Sequence, residues 1–295
     1  MNKKIALITG ASGQDGSYLA QFLIKKNYKV VAVDRKSSRA NNWRHEYLGI
    51  ENKVIYEDFD LADIDSIFRL FKKYKFSEVY NLASHSFVKS SFETPVSTSN
   101  ITGIGTLRIL EAIRFFNKKI KFYQASTSEM IGNTKSKVQN ENAEFYPRSP
   151  YACAKVFAHF ITKNYRETYG IFACSGIMFN HESPLRGEEF VTRKITKHFS
   201  EIKVGKRNIL ELGNLNSKKD WGFAKDYVEA MWLMLQQKKP EDFVISTNKS
   251  YSIKDFVNEA TKNLGFKIKW VNKGKYGKAI NLANNKVIIK TNPKF

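Results

Sequence analysis

The sequence predicts an α/β fold, a Rossmann-type doubly wound parallel sheet with a smaller, partly helical C-terminal region. Three observations predict it. Short β-rich apolar runs alternate with longer stretches of helical period from residue 5 to residue 169, the pattern of βαβ units. The first run passes straight into three glycines and an amphipathic helix. From residue 180 onward the alternation gives way to loops and shorter amphipathic segments, which marks a second region.

Strands are expected at 5–9, 29–33, 54–56, 78–82, 121–125, 172–178 and 243–246, where the apolar runs are short. Helices are expected between them at 16–26, 64–74, 95–116, 150–169 and 223–236; the first carries Tyr18, Leu19, Phe22 and Leu23 at helical spacing. Further helices are expected at 190–203 and 252–264, and the segment 223–246 returns to the main sheet. The domains expected are therefore 1–179 with 223–246, and a cap of 180–222 with 247–295.

A chain of 295 residues, 42% apolar and 14% aromatic, buries a sizeable core, which excludes intrinsic disorder, a collagen-like repeat and a small disulfide scaffold. Its 49 Lys and Arg against 28 Asp and Glu give a net charge of +21, which by itself points to nucleic acid, an anionic surface or a phosphorylated ligand. The lysines are scattered in ones and twos, as in Lys25-Lys26 and Lys118-Lys119, and read as solvated surface. The densest stretch, 267–295, holds eight lysines and no acid, without the alternating aromatics of a single-strand binding groove, so no nucleic-acid partner is expected. Cys153 and Cys174 are too few for a disulfide framework and lack metal-ligand spacing, so a reduced, cytoplasmic setting and no metal are expected. No secretory pattern opens the chain and no run approaches the ~18 apolar residues of a membrane span, so no membrane association is expected.

Gly10, Gly13 and Gly16, with Gln14 and Asp15 between them, join the first strand to its helix. Glycines there let backbone N–H groups approach a pyrophosphate at the positive helix end. The spacing is G-x-x-G-x-x-G rather than the G-x-G-x-x-G of ordinary dehydrogenases. At the end of the second strand, Asp34 suits the ribose hydroxyls of NAD, whereas Arg35, Ser37 and Arg39 suit the extra phosphate of NADP, and the two signals conflict. Asp60 and Leu61 after the third strand either frame an adenine or close a turn.

The fifth strand ends in Ser126-Thr127-Ser128-Glu129, at the edge where open parallel sheets place ligands. Twenty-two residues beyond Glu129, Tyr151 and Lys155 stand one helical turn apart on one face. The Lys155 ammonium favours the Tyr151 phenolate and brings a phenol of pKa about 10 toward working pH. Such a tyrosine takes the proton of a sugar hydroxyl while hydride leaves the same carbon for a nicotinamide.

With these constellations together, the sequence resembles the extended short-chain dehydrogenase/reductases and, among them, the GDP-mannose 4,6-dehydratase family. The resemblance runs through 8–19, 122–130, 145–151, 180–187, 190–195, 212–222, 226–236 and 240–245. Within the Thr-Ser-Glu triplet that family has Ser where dTDP-glucose dehydratases carry Asp, and here the position is Ser128. The resemblance implies a redox-neutral lyase using NADP, with NAD the weaker alternative. Tyr151 removes the 4-hydroxyl proton as carbon 4 is oxidised, and Glu129 removes the acidified hydrogen on carbon 5. Water then leaves from carbon 6 and hydride returns there, giving GDP-4-keto-6-deoxy-mannose. Thr127 holds the 4-oxygen and Ser128 stands near the departing hydroxyl.

The resemblance also assigns Leu82, Ala83, Ser86, His181 and Arg186 to the cofactor, Tyr151 and Lys155 to cofactor and catalysis alike, and Ser86, Thr127, Asn180, Arg193, Lys194 and Lys219 to the sugar nucleotide, whose diphosphate suits basic side chains. His85 stands where similar proteins have Gln. Lys219, before Asp220-Trp221, replaces an Arg and keeps the charge while losing the fork. Similar proteins continue past the segment matching 287–295 with elements that help close the nucleotide pocket, so the cap is expected to be incomplete at its C-terminus. A homo-oligomer, dimer or tetramer, acting on GDP-mannose is expected. The alternatives are a nucleotide-sugar 4-epimerase or reductase, which needs Tyr151 and Lys155 but no Glu129 as a carbon base, and a catalytically weak NADP-binding protein.

Overall fold

The structure, a computed structural model, describes residues 3–34, 42–132, 134, 138–272 and 277–292. The chain forms two compact units, Met1–Leu185 with Gly222–Ile245, and Arg186–Trp221 with Ser246–Phe295. In chain order the first unit contains β1 (Ile5–Thr9), α1 (Gln14–Lys25), β2 (Lys29–Asp34), α2 (Trp43–Tyr47), β3 (Ile55–Asp58), α3 (Ile64–Lys73) and β4 (Glu78–Asn81). It continues with α4 (Val88–Glu93), α5 (Pro95–Thr98), α6 (Gly105–Phe116), β5 (Lys121–Thr127), α7 (Pro150–Tyr169), β6 (Ala173–Met178) and β7 (Asn180–Glu182). After α8 (Val191–Lys203), β8 (Leu210–Leu212) and β9 (Lys218–Phe223), it is completed by α9 (Ala224–Gln236) and β10 (Asp242–Ile245).

Seven of these strands form one sheet in the order β10-β6-β5-β4-β1-β2-β3, and every neighbouring pair is parallel. Alternate residues of a strand enter opposite layers. Ala6, Ile8 and Tyr80 join Leu19 and Leu23 of α1 and Met231 and Leu235 of α9 in one core. Leu7, Val79 and Phe122 join Ile67 and Leu70 of α3 and Ile109 and Leu110 of α6 in the other. Burying each such aliphatic side chain contributes about 1.5–3 kcal/mol. Because the chain leaves β1 for β2 on one side and leaves β4 for β5 on the other, these two neighbouring strands exit in opposite directions and open a crevice at their C-terminal ends, at Thr9 and Asn81, with Thr127 at the same end of β5.

The helix expected at 95–116 is interrupted by a π-helical turn over Ser99–Ile104. That turn holds Thr102 and Thr106 where their hydroxyls meet the His85 N–H (3.4 Å) and the Asn81 Nδ2 (3.0 Å). An inserted residue of this kind leaves the apolar period largely intact, so the sequence does not announce it.

The second unit holds α8, β8, most of β9, β11 (Ser250–Ser252), α10 (Ile253–Asn263), β12 (Ile268–Asn272), β13 (Lys278–Asn281) and β14 (Val287–Thr291). A four-stranded sheet of order β12-β13-β14-β8 fills much of a region that reads in sequence as partly helical and lysine-rich. The strand period explains it: Lys269, Lys278 and Lys290 are exposed, while Ile268, Trp270, Ala279 and Ile289 pack with Phe199, Leu210 and Val257. Among the described residues no helix is long and apolar enough to cross a membrane, and no group of three or more His, Cys, Asp or Glu is placed to hold a metal ion.

Candidate active site

β1 enters the glycine turn at Gly10, whose φ of +69° favours glycine. A Cβ there would lie 2.9 Å from the Ala83 N and Cα, and one on Gly16 would lie 2.4 Å from the Gly10 O. The turn therefore closes on itself and on the exit of β4, leaving no room for side chains. Gly13 caps α1 without a side chain that would compete with an anion at the positive helix end.

Polar groups buried at the strand ends fix the neighbouring backbone. The Thr9 hydroxyl donates to Asn81 Oδ1 (2.7 Å) and accepts from the Leu82 and Ala83 N–H groups (3.1 Å each). Asn81 Nδ2 in turn donates to Gln124 Oε1 (2.8 Å). The sequence reading did not single out Thr9 or Gln124; their signal was a polar residue inside an otherwise apolar strand.

Helix α2, also unforeseen, braces the turn from outside. Arg44 donates to the Ser12 O (3.1 Å) and the Leu185 O (2.7 Å). His45 is buried, which holds its pKa below the usual imidazole range. Its Nε2–H donates to the Ala11 O (2.9 Å) while Nδ1 accepts from the Tyr56 hydroxyl (2.7 Å). Asp34 Oδ2 accepts the Ser12 N–H at 2.9 Å. Arg35, Ser37 and Arg39 lie outside the described residues.

On the other side of the turn, Gln14 donates to the His181 O (3.1 Å) and accepts from the Ser183 hydroxyl (2.8 Å). His181 Nε2 meets Asp15 Oδ2 at 2.8 Å and Nδ1 meets the Phe179 O at 2.7 Å. The His181 ring thus lies between two acceptors, a backbone carbonyl and a carboxylate. Its face stacks on Tyr227 with centroids 4.4 Å apart.

β5 delivers the polar triplet. Thr127 caps the short 3₁₀ turn Ser128–Met130 and its Oγ1 accepts the Glu129 N–H at 3.3 Å. α7 starts opposite, capped by Ser149 Oγ on the Ala152 N–H (3.1 Å), with Pro150 in its first turn. It packs on β5 and on the 3₁₀ turn, which brings Tyr151 and Lys155 to the strand that ends at Thr127 and the turn that carries Ser128 and Glu129. Lys155 Nζ lies 5.8 Å from the Tyr151 ring centroid and donates to the Ala125 O at 2.7 Å. Burial pushes the Lys155 pKa down to about 8, against the pull of Asp15.

The remaining sequence-derived candidates are more dispersed. Asp60 is exposed and closes a turn on the Ala62 N–H (2.8 Å), while the Leu61 side chain belongs to the core. Ser86 is exposed and Asn180 half-buried. In the second unit, the Arg186 guanidinium lies 3.5 Å from the Phe190 ring centroid, Arg193 and Lys194 sit in the first turn of α8, and Lys219 pairs with Tyr251 of β11.

Residues 7–295 match the family described as GDP-mannose 4,6 dehydratase. The GDP-mannose 4,6-dehydratase of Vibrio cholerae serotype O1 is 50% identical over 289 residues, spanning 95% of this chain and 77% of that protein. The GDP-mannose 4,6 dehydratase of Drosophila melanogaster is 47% identical over 302 residues, spanning 99% of this chain and 76% of that protein. A crystal structure of dTDP-glucose 4,6-dehydratase from Bacillus anthracis, in complex with NAD, is similar in fold, with a TM-score of 0.78 and 21% identity over 89% of this chain and 81% of that one.

Proposed function

The chain belongs to the GDP-mannose 4,6-dehydratase family, and from that membership we propose that it is a lyase converting GDP-mannose to GDP-4-keto-6-deoxy-mannose and water with a nicotinamide cofactor. The observation that carries the reading is α7 pinned to β5 by Lys155 on the Ala125 O, beside the strand end that bears Thr127, Ser128 and Glu129. An epimerase has use for Tyr151 and Lys155 and none for Glu129.

The glycine turn fits a dinucleotide pyrophosphate: Gly10 and Gly16 let the backbone fold tightly where a Cβ would strike neighbouring backbone, and Gly13 leaves the positive end of α1 without a covering side chain. Gly10, Gly13, Gln14, Asp15 and Gly16 are assigned to it, with Leu82, Ala83, His181 and Arg186 to the rest of the cofactor. We assign NADP rather than NAD. Asp34 has an oxygen engaged by the Ser12 N–H, and Arg35 and Arg39 supply the charge, and Ser37 the hydroxyl, that an extra phosphate needs. When bound, the nicotinamide supplies the hydride acceptor for carbon 4 and the hydride donor for carbon 6.

The chain's own residues move the protons. Tyr151 takes the 4-hydroxyl proton, its phenolate favoured by the neighbouring ammonium. Thr127 Oγ1 accepts the Glu129 N–H and directs its own hydrogen to the 4-oxygen. Glu129 removes the carbon 5 hydrogen acidified by the ketone, and Ser128 attends the departing hydroxyl. Asn180, Arg193, Lys194 and Lys219 are assigned to the sugar nucleotide, Ser86 to sugar and cofactor both. Residues 1–179 with 223–246 are assigned as the NADP-binding Rossmann domain and 180–222 with 247–295 as the substrate-binding cap, whose His181 and Arg186 are the ones assigned to the cofactor; a cytoplasmic homo-oligomer is the form we assign.

Incubation of the purified chain with NADP and GDP-mannose tests the proposal: mass spectrometry should find product lighter by one water. Folded, NADP-loaded protein that leaves GDP-mannose intact, or returns an isomer of unchanged mass, would overturn it.

A further inference from the structure

Tyr151, Lys155 and His159 recur every fourth residue on α7 and form one stripe on its face. Lys155 holds the Ala125 O, and His159 makes the next link along the same strand: its Nδ1 lies 3.2 Å from Ser126 Oγ. Both side chains are buried, His159 at 5% and Ser126 at 4% exposure. His159 Nε2 faces Asp242 Oδ2 at 3.8 Å. That carboxylate is itself held by both Arg166 terminal nitrogens at 2.9 Å and by the Ser175 N–H at 3.2 Å. Phe145 and Phe160 meet the imidazole edge-on, with centroids at 5.2 and 5.6 Å.

Burial holds His159 below the usual imidazole range; Asp242 opposes this, and Arg166 and Lys163 add to it. The neutral ring has one proton. The Asp242 carboxylate facing Nε2 favours that proton on Nε2, the tautomer in which Nδ1 accepts from the Ser126 hydroxyl. The Ser-His-Asp order is that of a hydrolase triad, but a buried Ser126 hydroxyl is not presented to a substrate.

We propose that His159 is a positioning residue of the dehydration, an inference that rests on the dehydratase reading. The reaction requires Tyr151 on α7 and Thr127 and Glu129 at the end of β5 to address neighbouring carbons of one sugar. Lys155 and His159 tie the helix to consecutive strand residues, Ala125 and Ser126, immediately before Thr127. Loss of the second tie lets the helix pivot about the first, which misaligns the proton acceptors while leaving the ligands' binding contacts in place.

The test is a cycle of His159→Phe, which keeps the ring and its edge contacts, with Ser126→Ala. Each single variant should lose about fivefold to tenfold in kcat, the rate equivalent of one net hydrogen bond, with KM for GDP-mannose and NADP within about twofold of wild type. The double variant should lose no more than either single one, and His159→Asn, which restores an acceptor, should recover part of kcat. In resting protein, nitrogen-15 NMR of labelled histidine should show His159 as the Nε2–H tautomer. Unchanged kcat in folded His159→Phe, additive losses in the double variant, or an Nδ1–H tautomer would overturn the proposal. Should His159→Phe fail to fold, Ser126→Ala and the tautomer still decide. Wild type that releases no water from GDP-mannose would refute the dehydratase reading instead, and the tautomer would test the His159–Ser126 link regardless.

Discussion

Lys155 is 2% exposed and its ammonium is stabilised by a hydrogen bond to the Ala125 O, yet burial still pulls its pKa from 10.5 to about 8. A pKa lowered on folding means that the unfolded chain binds the proton more tightly than the native one. Below pH 8 both states are protonated and the native state bears the full burial cost; above pH 10.5 both are neutral and the cost is gone. Stability owed to this group must therefore rise with pH across that window. At about 1.4 kcal/mol per pKa unit, the two values predict a gain of about 2.5 kcal/mol between pH 7 and pH 10. The comparison is Lys155→Met, made in a Tyr151→Phe background so that the phenol cannot ionise in the lysine's place. Urea unfolding of cofactor-free protein, followed by tryptophan fluorescence at each pH, measures the gap between the protein that keeps Lys155 and the Lys155→Met variant, and titrations common to both cancel. A gap that stays flat from pH 7 to pH 10 would show that Lys155 is an ordinary solvated lysine and refute the account of how it acts on Tyr151.

Three other outcomes are expected. Glu129→Gln should slow water loss from GDP-mannose by about a hundredfold or more while NADP binding, measured by calorimetry, stays as in wild type; undiminished product formation would remove Glu129 from the chemistry. Gly16→Ala forces a methyl to within 2.4 Å of the Gly10 O, so the turn must open, and fluorescence titration should show NADP binding weakened at least about tenfold with a lower Tm; wild-type affinity would disconnect the turn from the cofactor. NADP should bind more tightly than NAD, by about tenfold or more if its phosphate gains one charge-assisted hydrogen bond, and the preference should shrink in Arg35→Ala and Arg39→Ala. Equal affinities would return Asp34 to the role of ribose ligand.

Which parts of the molecule could be read without its structure follows from where the information lies. Strand β1 and helix α7 coincide with the segments expected at 5–9 and 150–169, because an apolar run or a helical period written into neighbouring residues is local. The strands of the second unit were missed because alternating Lys267, Ile268, Lys269 and Trp270 looks like solvated charge until a sheet places the isoleucine and tryptophan on a core. The braces were missed for another reason. Thr9 meets Asn81 across 72 residues, His45 meets Ala11 across 34 and Ser126 meets His159 across 33. Each pairing depends on strand order and register, and only the presence of a polar residue in an apolar neighbourhood hints at it.

Residue type alone does not make a reactive set, as the opposite end of the same sheet demonstrates. At the start of β4, Glu78 is 1% exposed and gathers Tyr28 (2.9 Å), Tyr80 (2.8 Å) and Lys4 (3.4 Å), the same three residue types as Glu129, Tyr151 and Lys155. There the hydroxyls and the ammonium converge on one carboxylate. Burial, reinforced by Glu78, pushes the Tyr80 phenol well above its usual range and raises that of Tyr28, so neither is poised to trade a proton near neutral pH. At the C-terminal end the lysine is spent on a backbone carbonyl instead, its own pKa falls toward working pH, and Glu129 stands on a half-exposed 3₁₀ turn. Parallel strands bring their N-terminal ends together in one place and their C-terminal ends in another. The first is closed by self-satisfied polar groups that hold the sheet, and at the second Thr9, His45 and Ser126 direct their hydrogen bonds to neighbouring backbone and side chains, beside the groups to which we assign the chemistry.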